Sequence, residues 1–269
     1  MRQVSAQSGS EEQSLSMQPQ SIQPTANMSA AEHQARIDLA AAHRIVAASG
    51  WSQIIYNHVT LRVPDAPQHF LIKPNDLMYE EVTASSLIKL DLDGKPADES
   101  ENVNAAGFAI HSAVLAARPE ISAVLHIHTD VGMAISAHPD GLRFVTQGAL
   151  RFYNQISYHE YSGGEEIDEC ESIQRDLGDS KAMILRHHGL LTCGENVAEA
   201  LSLARYLFDA CKSQLLVEAA VGRDNVLMPE PDVCVRSAQR WDSYGPAMSA
   251  SEWPAMLRWA DRLDSSYRD

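Results

Sequence analysis

An α/β fold, a three-layer α/β/α sandwich on a largely antiparallel central sheet, is what this sequence predicts, and three observations carry the prediction. Strand-like and helix-like stretches mix irregularly along the 269 residues, with hairpin signals between several of them. Two apolar stretches, Ala123–Thr129 and Met183–Gly189, read as buried strands. A long amphipathic segment from about Val197 to Val221 supplies a covering helix, with Ala200, Leu201, Ala204, Leu207, Phe208, Cys211 and Leu215 as its stripe.

Taken in order, residues 1–28 are rich in Gln and Ser, poor in aliphatics and broken by Pro19 and Pro24. Such a segment cannot bury enough apolar area to offset its ordering entropy, so disorder is expected there. Residues 29–269 read as one domain, with a helical extension from about 230. Ser29-Ala30-Ala31-Glu32 has the form of a capping box and opens an alanine-rich helix, in which Ile37, Ala41, Ile45 and Ala48 recur at helical spacing before Gly50. A hairpin follows, Ile54 to Arg62 and then Phe70 to Lys73, joined across Pro64 and Pro67. Leu87–Asp91 is a strand running into an Asp93-Gly94 turn. Ala106–Ala117 is a helix ended by Arg118-Pro119, and the Ala123 strand comes next. A turn at Pro139-Asp140-Gly141, an aromatic-rich stretch from Phe152 to Tyr161 and a polar helix over 165–178 lead to the second apolar strand. A Trp-bearing helix over 252–264 closes the chain.

Composition bounds the function. The chain is 45% hydrophobic and 21% charged, which suits one domain with a substantial core. No stretch approaches the roughly 20 apolar residues that span a bilayer, and the N-terminus has no apolar signal region. Cys170, Cys193, Cys211 and Cys234 lie far apart without a C-x-x-C pair, so they read as small hydrophobes in a reducing, cytoplasmic compartment. A net charge of −15 without a Lys/Arg run argues against nucleic acid or an anionic membrane as a partner.

The chemistry concentrates in histidine. His126 and His128 sit two apart on a strand, so their side chains leave the same face and form half of a first-row metal site. The second apolar stretch ends in His187-His188-Gly189, where the glycine permits a sharp turn. Two buried strands that both deliver histidine at their ends point to convergence on one centre. Neighbouring residues of an extended chain face opposite ways, so only one of His187 and His188 can join it.

Several motifs together resemble the class II aldolase/adducin family, and its adducin-like branch in particular. They are Asn104-Ala105-Ala106-Gly107-Phe108-Ala109-Ile110-His111, Ala117-Arg118-Pro119-Glu120, Val124–Thr129, Leu185–Leu191 and Gly194–Ala200. Tyr56–Arg62 and Phe70–Pro74 are similar to the family's opening segments, so the likeness runs from about residue 30 to 269. The resemblance implies a C4 homotetramer and a small-molecule substrate. It also implies a divalent metal, usually zinc, with iron or manganese as alternatives, bound by three histidines matching His126, His128 and His188. Three neutral imidazoles leave a four-coordinate zinc one open position, the pattern of a catalytic site, where the dication stabilises an enediolate or carbanion beside a carbonyl. His111 reads as a packed neighbour of the site.

The departures matter as much. The family's sugar-phosphate aldolases place a glutamate acid/base where this chain has Gly107. Their phosphate-holding segments correspond to Tyr56-Asn57 and to Lys73-Pro74-Asn75-Asp76, which leaves Asn57, Lys73 and Gly107 as the substrate-contacting positions. A missing general acid costs roughly two to four orders of magnitude in rate unless another group serves. Tyr153, His159 and Tyr161 are the substitutes the aromatic-rich stretch offers, Tyr153 and His159 being the catalytic candidates. The expected activity is a metal-dependent lyase reaction, carbon–carbon cleavage or decarboxylation, on a small polar or acidic substrate. A non-catalytic adducin-like module of actin–spectrin type and an iron-dependent oxygenase on the same histidines are the alternatives.

Overall fold

A computed structural model describes residues 28–97, 105–163 and 166–269, the side chains of 105–107, 166–169 and 246 excepted. The expected disorder of 1–28 falls almost wholly outside the described residues. A seven-stranded sheet forms the middle layer in the order β3-β2-β1-β4-β7-β6-β5. Its strands are β1 (His58–Val63), β2 (Ala66–Ile72), β3 (Ile88–Asp91), β4 (Ala123–Ile127), β5 (Ile156–His159), β6 (Ala182–Leu185) and β7 (Gly189–Gly194). Every pairing is antiparallel except β5 with β6, so the sheet is largely antiparallel, as expected.

Alternation along the strands divides the core between two faces. Helices α2 (Ala105–Ala117) and α4 (Glu166–Leu177) cover a cluster built on Phe70, Ile72, Leu90, Val124, Met183 and Leu191. The other face carries α1 (Ala30–Ala48), α3 (Asp130–Ser136), α5 (Val197–Val221) and α6 (Pro231–Leu263), around Leu39, Val59, Leu71, Leu125, Ile184 and Leu207. These are the three layers.

Local chemistry explains the element ends, and in places corrects the expectations. Ser29 caps α1 by accepting from the Glu32 amide at 3.0 Å. The return half of the capping box is not the use made of Glu32, whose carboxylate pairs instead with Arg36 at 3.0 Å and Lys89 at 2.7 Å. The first hairpin strand starts at His58 rather than Ile54. Ile54 and Asn57 have φ of 53° and 72°, a conformation no strand accepts. The helical extension expected from about 230 is one helix, the 33-residue α6, which runs well ahead of the Trp-bearing 252–264 segment and takes Gly245 and Pro246 inside it. His187 and His188 sit not on a strand but in the β6–β7 turn, where His187 takes φ 56°. The left-handed residue of that turn is therefore His187. Gly189 is needed for a different reason: a Cβ there would lie 2.6 Å from the Ile127 carbonyl and 2.9 Å from the His128 ring. No helix among the described residues is long and apolar enough to cross a membrane.

Burial of histidine makes the fold acid-sensitive. His43 on α1 is fully buried, its Nδ1–H donates to the Leu39 carbonyl at 2.8 Å, and burial pushes its pKa down to about 3. The unfolded chain binds this proton near 6.5 and the folded chain does not. Stability is thus fully present above pH 6.5 and is lost as pH falls toward 3. Urea melts of His43→Leu should lose stability with falling pH less steeply than wild type below pH 6, by on the order of 1 kcal/mol per pH unit. Equal slopes would remove His43 as the cause.

Candidate metal centre

The sheet itself assembles the histidines. β4 and β7 are hydrogen-bonded neighbours, with His126 opposite Leu191, and the β6–β7 turn swings His188 over the end of β4. The ring centroids of His126, His128 and His188 form a triangle of sides 4.6, 4.7 and 4.8 Å. A ligand atom from each ring can be chosen so that all lie within 4.8 Å of one another. His126 is buried, while His128 and His188 are half-buried, so the triangle opens to solvent on one side.

Two of the rings are oriented from behind. His126 Nδ1 lies 3.0 Å from the Leu190 carbonyl, which can only accept, so the proton is on Nδ1 and the Nε2 lone pair points into the triangle. His128 Nδ1 lies 2.7 Å from Gln53 Oε1, and donation to that oxygen fixes the same tautomer. The two Nε2 atoms are then 2.7 Å apart with lone pairs facing. Such a contact is repulsive unless a proton or a cation lies between the nitrogens. Burial, reinforced by the neighbouring rings, holds His126 well below the usual imidazole range and His128 down to about 4. A proton is therefore the poorer occupant at neutral pH, and a divalent ion fits the donor set.

Around the triangle, β1 places His58 directly opposite His126, buried and with no partner for Nε2 among the described residues. His111 on α2 is fully buried and hydrogen-bonded through Nδ1 to Thr60 Oγ1 at 2.8 Å, as a packed neighbour. A narrow cleft beside His188 is lined by Ile110, His159, Tyr161, Ile173, Leu185 and Arg186. His159 Nδ1 meets Asp176 Oδ2 of α4 at 2.8 Å, and its Nε2 is buried without a partner among the described residues. Desolvation raises the Asp176 pKa, but the His159 and Arg175 contacts outweigh it and hold that carboxyl below its usual value.

The other sequence candidates fall as follows. Tyr153 stacks edge-on against Phe144 with centroids 5.1 Å apart and is not among the cleft-lining residues. Asn57 is buried just before His58, with Nδ2 donating to the Trp51 carbonyl at 3.2 Å and Oδ1 unpartnered among the described residues. Lys73 is buried and donates to the carbonyls of Pro74 at 3.1 Å and Leu77 at 2.9 Å. Gly107 lies in the first turn of α2. Gln53 and Asp176 escaped the sequence reading, since nothing in a lone Gln or in one acid of a polar helix marks a histidine's support.

The support from Gln53 is measurable. Partners of ligating histidines are worth about 10- to 100-fold in metal affinity. Gln53→Leu should weaken metal binding by about that factor in a chelator competition while leaving the fold intact. An unchanged affinity would show that His128 is held by other means.

A seven-stranded sheet in this order between helical layers, with three histidines gathered at the end of its middle strands, gives the class of protein as an α/β fold with a candidate metal centre. The chain belongs to the family described as Class II Aldolase and Adducin N-terminal domain, which its residues 37–215 match. A protein of Caulobacter vibrioides named "Putative aldolase class 2 protein" is 42% identical over 245 residues, covering 90% of this chain and 95% of its own. Alpha-adducin of Rattus norvegicus is 45% identical over 203 residues, 73% of this chain but 27% of the adducin. Among solved structures, L-fuculose 1-phosphate aldolase from Glaciozyma antarctica superposes with a TM-score of 0.79 at 30% identity, covering 92% of this chain and 97% of that one. An aldolase II superfamily protein from Pseudomonas syringae gives a TM-score of 0.86 at 38% identity, covering 90% and 98%.

Proposed function

We propose that this chain is a divalent-metal-dependent lyase that breaks a carbon–carbon bond beside a carbonyl, by cleavage or decarboxylation, in a small polar or acidic substrate. The observation that supports the reading best is the convergence of His126, His128 and His188 beside a cleft lined by His159, which Asp176 holds from behind. A divalent ion on these rings, zinc being the natural choice for three neutral imidazoles, would withdraw electrons from the substrate carbonyl. The chain's own groups do the rest. Gln53 and the Leu190 carbonyl hold two of the rings in register. Asp176 accepts from His159 Nδ1, which leaves Nε2 as the atom that can carry a proton to or from the reacting carbon. Gly107 brings no carboxylate to the position where the family's aldolases carry their glutamate, so a carboxylate substrate meets less repulsion. Asn57, with its unpartnered Oδ1, is the better placed of the polar substrate contacts, and Lys73 shapes the neighbouring loop.

A non-catalytic, adducin-like binding module is the second reading, and the 45% identity to alpha-adducin favours it. One experiment separates the two. Metal-loaded wild type, His159→Asn and Gly107→Glu are assayed against a panel of metal-chelating hydroxy and keto acids and of sugar phosphates. Turnover is expected among the acids only, lowered about 10²-fold or more by His159→Asn and also lowered by Gly107→Glu. Efficient sugar-phosphate cleavage by wild type would overturn the substrate class. Silence across both sets, in protein shown to hold its metal, would transfer the weight to the binding module. Light scattering on the same protein checks the homotetramer that the family likeness suggests.

A further inference from the structure

A second cavity, of about 470 Å³, lies at the far end of β6 from the histidines. Its wall includes Asp179, Ser180 and Lys181, which lead into that strand, whereas His188 follows the strand's other end. Arg151 lines the cavity although it is only 6% exposed. Its guanidinium lies against the rings of Tyr206 at 5.0 Å and Trp241 at 5.4 Å. Among the described residues the guanidinium makes one hydrogen bond, from Nη1 to Ser202 Oγ at 3.2 Å, and pairs with no carboxylate.

Of the other charges on the wall, Lys181, Glu199 and Asp242 already have partners, and Asp179 has none among the described residues. Lys181 pairs with Glu199 at 2.8 Å and Glu195 at 3.3 Å, and both oxygens of Asp242 accept from Gln155 at 2.7 Å. A guanidinium has five N–H donors in a planar fork. Here Glu252, Glu199 and Asp242 act on the charge only from beyond ion-pair distance, and most of the fork is left for whatever enters the cavity. A bound anion would complete the arrangement. Gly245 makes an independent case. A glycine inside a helix costs about 1 kcal/mol relative to alanine, yet Gly245 stands within α6 and lines the cavity. A Cβ there would sit 3.6 Å from Arg151 Nη2, so any longer side chain would enter the space in front of the fork.

We propose that this cavity binds a small carboxylate that also carries a hydroxyl or ammonium group. The carboxylate is taken bidentately by Arg151, and the hydroxyl or ammonium faces the acidic wall of Asp179 and Asp242. The volume is that of a small-metabolite site. Its ligand is separate from the substrate of the histidine centre, and the inference does not rest on the lyase reading.

The test is calorimetric titration of L-malate and L-aspartate into the full chain and into His188→Ala, which separates this cavity from the metal centre. At least one of the two acids should bind once per chain, equally in both proteins, and tenfold or more weakly in Arg151→Gln. Because Arg151→Gln disturbs a buried charge, Gly245→Leu is the second arm. It leaves the guanidinium in place, fills the space before it, and should weaken binding as much. Absence of binding by both acids would overturn the proposal. So would binding that disappears in His188→Ala but survives Arg151→Gln, which assigns the acid to the metal centre. A change of subunit number in Arg151→Gln without any acid binding would overturn it too, by making the cavity a contact between copies of the chain.

Discussion

His188→Ala should leave a folded protein with almost no metal. Wild type is expected to purify with close to one divalent ion per chain, and the variant with less than about a tenth of that, because two imidazoles cannot replace three in a four-coordinate site. His126→Ala should behave alike. Any lyase turnover should fall by at least about 10³-fold, since the polarising charge is lost entirely. The control is His187→Asn. His187 is exposed and its φ is 56°, a conformation asparagine tolerates, so this change should keep both metal and fold. Elemental analysis of protein prepared without chelator reads all three. Metal retained at the wild-type level in His188→Ala would disprove the three-histidine centre.

The largest loss of stability is expected from Arg62→Met. Arg62 on β1 is buried and spends its whole fork on backbone carbonyls. Nε donates to Ile121 at 3.1 Å, Nη1 to Pro67 at 2.5 Å, and Nη2 to Leu115 at 2.5 Å and Arg118 at 3.4 Å. Leu115 lies in the last turn of α2, where carbonyls have no helical amide to receive. One side chain therefore ties the start of β2, the end of α2 and the approach to β4. Methionine keeps the apolar stem and strands the carbonyls, each at about 1–3 kcal/mol when buried, though not additively. A loss of about 3–5 kcal/mol is expected, and at roughly 2–4 °C per kcal/mol for a chain of this size the midpoint should drop by about 10 °C. Arg62→Lys should fall between, with its charge kept and its fork gone. A Met variant as stable as wild type would show that water satisfies these carbonyls.

How much of this was legible in the sequence follows from what each part depends on. His126 and His128 could be paired because strand alternation is a local rule; the apolar run before His187-His188 announces only a strand end, and His188 was singled out by the family resemblance. Its route into the site could not be foreseen: the turn rests on a left-handed His187, not on the glycine beside it. The helical extension from about 230 was legible, but not that one helix would run unbroken through Gly245 and Pro246, since its packing against α5 and α1 is a tertiary matter. Ile54 to Asn57 looked like strand because β-branched and aromatic residues dominate, whereas two of those residues take the opposite sign of φ. Gln53 and Asp176 were invisible for a simpler reason. Each touches its histidine from a distant or featureless part of the chain, 75 and 17 residues away.

The position of β5 at the margin of the sheet has a consequence for how the molecule fails. His126 lies on β4, hydrogen-bonded on both flanks, while β5 has a single neighbour and is only four residues long. Marginal segments of this kind open first in native-state amide exchange, at free energies well below that of global unfolding. His159 therefore stands on the part of the protein that opens first, and the three-histidine cluster is anchored through His126 on a strand paired on both sides. Warming is expected to loosen the β5 residue His159 before the His126 strand opens, so on the proposed function any capacity to hold an ion would outlast any capacity to move a proton.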